Sequence, residues 1–375
     1  MKAVVLRPQF KEGLEIAERI CAKSASLPIV QHVLVSAEKK MVRLRATDLQ
    51  IGVTYQFLGT VEKEGQAVFA PRFLHAALGA SLENRVLLEK EDGNLAVVLG
   101  EQRLSLKTLD PEEFPLIPSV QGDEVFFDVD TGALCQGLSQ VVGMVGQSQV
   151  RPEISGVFFV FEKKEMRLVA TDSFRLAEKV VRLEKESVSS QSFILPAKTA
   201  KELISTLAER TGKTRLYMSP TQAIFDYESI DDPSQLRLQI VSRLIEGEYP
   251  HYQDVIPSAQ KTRVIIPRDA FLSYVKTAGV FADKTNEVRL TANPSAKKLE
   301  FFSRNTEAGE QKSLLSCDIE GEATQVAFNW RFLLDGLVQI KGRNAELGLN
   351  GEDGPALLRS AEQHGYRYVL MPIKA

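Results

Sequence analysis

The sequence predicts an α+β fold of three repeated domains, each with two helices and antiparallel sheets. Three observations carry this. The run Ala-Thr-Asp closes a β-rich stretch twice, in "LRATDLQIGV" (Leu44 to Val53) and "LVATDSFRLA" (Leu168 to Ala177), placing Asp48 and Asp172 124 residues apart. A strand leading into an apolar helix recurs as "VFAPRFLHAAL", "FILPAKTAKELI" and "FNWRFLLDGL", with Pro71 and Pro196 125 residues apart. Two junctions, "EEFPLIPS" and "GEYPHYQDVIPS", share acid, aromatic and proline followed by Ile-Pro-Ser. Landmarks that keep their order and spacing mark an internal repeat, and the boundaries it predicts are 1–120, 124–246 and 247–375.

Each unit opens with a helix whose apolar residues recur at i, i+4 and i+7, which places them on one face. These are Phe10, Leu14 and Ala17, then Leu134, Leu138 and Val141, then Phe271, Val275 and Ala278. Between helices lie alternating or continuous β-rich runs such as "MVRLRATD", "RLSLKTL", "GVFFVFE" and "LRLQIVSRLI", separated by Gly, Asn and charged pairs as hairpins require. The third copy is the most diverged, with "FSRN" where the others have Ala-Thr-Asp. In that motif the Thr and Asp side chains are expected to bond turn amides at a strand end.

At 375 residues and net charge −3, the chain is long enough for two or three domains and is not coated in basic charge. No apolar run approaches a membrane span, and the first residues lack a signal-peptide core. Cys21, Cys135 and Cys317 are far apart and in no metal-like spacing, which predicts a reducing, cytoplasmic setting without disulfides. The four histidines form no ligand pair, and no nucleophile elbow, phosphate loop or dinucleotide fingerprint occurs. No acid, base or nucleophile constellation repeats in the three units. A non-catalytic protein without metal or cofactor is therefore expected.

Charge is unevenly distributed. The six helical spans 10–23, 71–85, 131–151, 197–215, 268–284 and 330–343 hold 17 Lys and Arg against 9 Asp and Glu, a net of +8. The remainder must carry −11. Positive helices attract phosphates without reading bases, and no recognition helix or zinc finger is present to add sequence specificity.

With three repeats, basic helical spans and the pieces "LVATDSFRLA", "EGEYPHYQDVIP" and "VLMPIK" in order, the chain resembles the β subunit of bacterial DNA polymerase III, the sliding-clamp family, over its entire length. The resemblance implies a DNA-clamp fold and a head-to-tail homodimer closed into a ring, with helices lining the hole and sheets outside. Such a ring encircles double-stranded DNA non-specifically and acts as a processivity factor. It tethers the replicative DNA polymerase, the clamp loader and other proteins that carry a clamp-binding motif.

Carried over residue by residue, the family's peptide-binding pocket would comprise Ile154, Thr171, Phe174, Arg175, Leu176, Pro250, Val255, Pro355, Val369, Met371 and Pro372. DNA contact would fall to Lys23, Arg151, Lys198, Lys201, Arg210, Lys213 and Arg215. The dimer interface would use Leu104 and Leu106 against Val280 and Phe281. The chain departs from the family pattern at Ser173-Phe174, where Gly-His is common, and at Asp254 and Ser24, where Arg is frequent. The alternatives are a non-replicative clamp variant or scaffold, a repeat-built hydrolase with metal-dependent carboxylates, and a monomeric peptide-binding module.

Overall fold

The computed structural model describes residues 1–23, 27–120, 126–184, 190–229 and 236–374, so Ser24 lies outside the described residues. Six α-helices are present among them: α1 (Arg7–Ile20), α2 (Pro71–Ala80), α3 (Thr131–Val141), α4 (Ala197–Leu207), α5 (Arg268–Val280) and α6 (Trp330–Gln339). They start where the local chemistry predicts. Proline stands in the first turn of α1 and α2, where a missing N–H costs nothing. Asn329 caps α6 by accepting from the Arg331 N–H at 3.0 Å. All nine of the apolar positions spaced i, i+4 and i+7 are at most 1% exposed, so the amphipathic faces are the core faces.

The strands are antiparallel throughout and divide into four sheets. The middle repeat is split between two of them. Its strands Phe126–Asp130, Lys213–Met218, Gln222–Glu228 and Arg237–Arg243 continue into four strands of the first repeat, giving eight. Gly156–Glu162, Glu165–Thr171, Arg175–Arg182 and Gln191–Pro196 continue into five of the third repeat, giving nine. The joins are equivalent. Ile51–Leu58 pairs with Arg237–Arg243, with Val53 opposite Ile240; Arg175–Arg182 pairs with Tyr366–Leu370, with Leu176 opposite Val369. In each case the joining strand is the one that follows an Ala-Thr-Asp turn.

Contacts therefore gather the three repeats into two compact units, each joining part of the middle repeat to a flanking one. One holds Met1–Cys135 with Glu202–Leu244; the other holds Gln136–Lys201 with everything from Ile245 onward. The first unit also contains a five-stranded sheet ending in the edge strand Gln102–Lys107, and the second a four-stranded sheet ending in the edge strand Gly309–Ser316.

The two turns are built alike. The Thr47 hydroxyl donates to the Ile51 carbonyl (2.9 Å) and Thr171 to that of Arg175 (2.7 Å). The Asp48 carboxylate accepts from the N–H groups of Gln50 and Ile51, and Asp172 from those of Phe174 and Arg175, at 2.8–3.0 Å. Between them Leu49 and Ser173 take the same left-handed backbone, φ +73° and +76°. Side-chain acceptors that satisfy turn amides are why Thr and Asp recur here.

In the second unit the sheet packs closely on α6 at Gly336. A Cβ there would meet two Tyr368 ring carbons at 2.5 Å, and Tyr368 is fully buried with its hydroxyl donating to the Phe332 carbonyl at 2.7 Å. The ring cannot retreat. Ala in place of Gly adds at most about 1 kcal/mol of helix propensity, whereas overpacking costs about 1–3 kcal/mol. Gly336→Ala is expected to lower the urea midpoint of unfolding, while Gly143→Ala, with nothing within 4 Å of its Cβ, leaves it nearly unchanged.

Candidate functional site

The second Ala-Thr-Asp turn borders a cavity of about 230 Å³ within the second unit. Thr171 ends one strand, Arg175 and Leu176 begin the next, and Val369 sits opposite Leu176 in the register. The chain then leaves the sheet, and the Met371 N–H donates to the Phe174 carbonyl at 2.9 Å, which fixes Met371 at the rim. Pro250, His251, Tyr252 and Val255 close the opposite side from a short 3-10 turn, Tyr252–Val255. Beneath lies a buried cluster that includes Val169, Leu176, Tyr249, Tyr252 and Val369. Phe158 stacks on Tyr249 with ring centroids 4.5 Å apart.

Arg175, Tyr252 and Glu178 at the cavity are already committed to partners within the chain. Arg175 pairs with Asp172 (2.9 Å) and Asp335 (2.5 Å), and its guanidinium lies 4.3 Å from the Phe332 ring centroid. Burial opposes its charge, but these hydrogen bonds hold its pKa above the ordinary arginine value. Tyr252 donates to Glu178 at 3.1 Å; burial first, and then that carboxylate, push the phenol pKa up. Glu178 is itself 2% exposed and sits between Arg167 (3.6 Å) and Arg367 (3.5 Å). Leu176, Pro250, Val255, Val369 and Met371 remain as an apolar lining. Fixed polar walls around apolar surface suit hydrophobic anchors better than bond-making chemistry.

Of the pocket residues expected from sequence, Thr171, Arg175, Leu176, Pro250, Val255, Val369 and Met371 line this cavity. Ile154, Phe174, Pro355 and Pro372 are not among its lining residues. Ile154 is buried beneath the turn, against Gly146. Phe174 is 63% exposed and turned towards Phe332, centroid to centroid 6.4 Å. Pro355 is half-buried and uses its carbonyl to accept from Asn350. Ser173, His251, Tyr252 and Arg151 line the cavity without having been expected there; His251 and Tyr252 follow Pro250 and Arg151 precedes Pro152, prolines that signalled a turn but not its facing. Asp254 is exposed.

The first turn has a counterpart of about 130 Å³ in the other unit, lined by Thr47, Leu49, Ile51 and Gly52. Here Gly52, opposite Val241, occupies the position of Leu176 opposite Val369. The Ile117 side chain fills the space a larger residue would need: a Cβ on Gly52 would lie 2.9 Å from Ile117 Cγ2.

The residues expected to meet DNA differ in their surroundings. Lys23, Lys198 and Lys201 are exposed, the last two three residues apart on one face of α4. Arg210 is drawn back, pairing with Glu12 at 2.5 Å and donating from Nε to the Thr206 carbonyl at 3.0 Å. Lys213 and Arg215 are exposed but belong to a strand, not a helix exit, and Arg215 lies 3.9 Å from Asp128. Arg151 pairs with Glu153 at the cavity rim. Within the helices themselves the balance is 9 basic to 6 acidic residues, because α1 is neutral and α3 carries no charge. Most of the positive excess of the wider spans sits in the segments that follow the helices. Leu104 and Leu106 are half-buried on the edge strand Gln102–Lys107, Val280 is 74% exposed at the end of α5, and Phe281 is half-buried. Among the described residues no cluster of His, Cys, Asp or Glu could hold a metal, and no helix is long and apolar enough to cross a membrane.

Known proteins share both the sequence and the fold. Models of the N-terminal, central and C-terminal domains of the DNA polymerase III beta subunit match residues 1–118, 128–251 and 253–374. The beta sliding clamp of Caulobacter vibrioides is 27% identical over 385 residues, and that of Bacillus subtilis 24% over 386, each covering all of both chains. Among solved structures, the Bacillus subtilis sliding clamp matches with a TM-score of 0.93 at 24% identity, covering 100% of this chain and 99% of that one. The beta subunit of Thermotoga maritima gives 0.89 at 25% identity, covering 100% and 99%, and a Pseudomonas aeruginosa clamp bound to griselimycin gives 0.91 at 21%, covering all of both. The fold, the repeat and the full-length match agree, and the chain belongs to the DNA polymerase III beta subunit family of sliding clamps.

Proposed function

We propose that two copies of this chain close head-to-tail into a ring around duplex DNA. The ring holds the replicative polymerase, the clamp loader and other clients through the crevice at the second Ala-Thr-Asp turn. The domains within each copy are 1–120, 124–246 and 247–375. The observation that carries this reading is the apolar crevice with committed polar walls, in a chain whose whole length matches the clamp family. A ring needs only weak, non-specific attraction to DNA, which fits the modest positive excess on and after the helices. It does not require catalysis.

The joint uses the edge strands. Gln102–Lys107 offers Leu104 and Leu106; Gly309–Ser316, with Leu314 50% exposed, and the neighbouring Val280 and Phe281 offer apolar surface for a second copy. Unpaired edges are templates for another strand, and unlike ends that meet with the right rotation close a ring. Sedimentation at micromolar concentration is expected to give a dimer, and Phe281→Asp or Leu106→Asp a monomer. Dimers from both variants would exclude this joint.

Encirclement predicts that loaded protein stays on circular DNA and slides off a linear molecule of the same length; equal retention on both would contradict it. Lys198→Ala and Lys201→Ala should each lower the slope of log affinity against log salt by about 0.9 for every phosphate the side chain neutralises. Arg210→Ala is a poor probe, since it also breaks the Glu12 pair.

For the crevice, Met371 and Val255 are the informative positions because they are partly exposed. Leu176 is 3% exposed, so its truncation also costs about 2–5 kcal/mol of core stability. Removing the wall beneath one apolar anchor costs on the order of 1–2 kcal/mol, about 5- to 30-fold in affinity. Met371→Ala and Val255→Asp are expected to weaken a fluorescent peptide carrying a client's clamp-binding motif while the dimer mass is unchanged. Undiminished binding by both variants would reassign the pocket and leave the ring standing.

A further inference from the structure

We infer that the first unit carries a second site of different chemistry, a groove on its eight-stranded sheet that takes an acidic peptide segment with a carboxylate on Arg45. The groove encloses about 530 Å³, more than twice the crevice of the other unit. It lies on one face of three adjacent strands. Arg43 and Arg45, two residues apart, share that face; Gln56 and Thr54 stand opposite them, and Arg237 and Gln239 opposite those in turn. The segment that joins the first repeat to the second closes one side, with Leu116 99% exposed at the margin.

The charges in this groove are unequally compensated. Arg237 is held by both oxygens of Asp226, at 2.9 and 2.7 Å, and that carboxylate is 2% exposed. Arg43 spans Gln56 (2.7 Å) and Glu38 (3.1 Å). Arg45, half-buried, makes no hydrogen bond or ion pair among the described residues. Burial, and then repulsion from Arg43, lower its pKa. Gln239, 9% exposed, likewise makes no side-chain hydrogen bond among the described residues, though it lines the same space. A half-buried guanidinium beside a like charge, with only Glu38 acting in its favour, gains from an anion that joins it. The unpartnered Gln239 amide, one strand beyond Thr54 on the same face, is a second donor for the bound segment.

The same facts favour a peptide carboxylate over a nucleic acid. Duplex binding neutralises a row of phosphates, whereas one charge here is uncommitted. No aromatic face is offered to a base, since Phe114 is packed in the core beneath the linker. The exposed Leu116 beside the uncommitted Arg45 matches a segment that alternates acidic and apolar side chains. The site is separate from the crevice of the other unit and does not depend on how that crevice is used.

The test uses the full chain and fluorescence anisotropy with fluorescein-labelled Glu-Leu-Glu-Leu-Glu, and with its Gln-Leu-Gln-Leu-Gln counterpart. The acidic peptide is expected to bind and the neutral one not. Arg45→Gln should weaken binding tenfold or more. Met371→Ala, in the other crevice, and Arg182→Gln, an exposed control, should leave it unchanged. Because Arg45 has no hydrogen bond or ion pair among the described residues and its pKa is lowered on balance, Arg45→Gln should unfold at or above the parent's temperature. The assignment fails if Arg45→Gln binds as tightly as the parent, if the neutral peptide binds equally, or if Arg45→Gln markedly lowers the melting temperature. Arg45-dependent displacement by a short DNA duplex would replace the peptide with nucleic acid. Displacement by inorganic phosphate at the peptide's own concentration would replace it with a simple anion.

Discussion

Two strand pairings hold the architecture together: Ile51–Leu58 with Arg237–Arg243, and Arg175–Arg182 with Tyr366–Leu370. Each joins one repeat to the next through main-chain hydrogen bonds, so a sheet that would have ended at an edge continues for four or five more strands. Unpaired edges attract foreign strands. Using them internally removes four such edges from each chain, and Gln102–Lys107 and Gly309–Ser316 are among the strands left at sheet ends. The pairings also decide where ligands can sit. The turn that begins each joining strand lies where one repeat's linker crosses the next repeat's strand, and both turn-side cavities occur there.

Much of this was legible in the residues. Apolar spacing marked the core faces of α1, α3 and α5 because burial and the helical period act locally. The Thr and Asp of the repeated turn were legible for the same reason, since their hydrogen bonds reach no further than three or four residues. Strand pairing is not local. Nothing in "LRLQIVSRLI" says that it will lie against Ile51–Leu58 rather than against its own repeat's other sheet, and so the division into two compact units was hidden. Phe174 shows the same limit at one residue. The resemblance put it in the pocket wall, but it sits in the turn before the strand, 63% exposed and facing the Phe332 ring, and is not among the cavity's lining residues.

Charge was legible as a total and less so as an arrangement. The basic residues assigned to helical spans include Arg210 and Arg19, whose partners Glu12 and Glu202 lie 198 and 183 residues away. Such pairs turn a net charge into a scaffold, in which Arg19 and Arg210 are held within the fold rather than presented outward. Exposed ion pairs contribute little stability, but they neutralise those arginines locally. The uneven distribution read from sequence is therefore real in sum and smaller in the helices themselves.

The two Ala-Thr-Asp turns share every backbone hydrogen bond described above, yet only one borders an open apolar crevice. The difference is set four residues after the aspartate. Gly52 leaves a hollow against the sheet, and Ile117 from the chain's own linker occupies it. Leu176 fills that hollow itself, so the linker carrying Pro250 and Tyr252 is held off as a wall rather than seated as a plug. Enlarging Gly52 would force Ile117 to move, because a Cβ there would lie 2.9 Å from Ile117 Cγ2, tighter than van der Waals distance allows. A single position thus separates a turn whose groove the chain's own linker closes from one whose groove stays open.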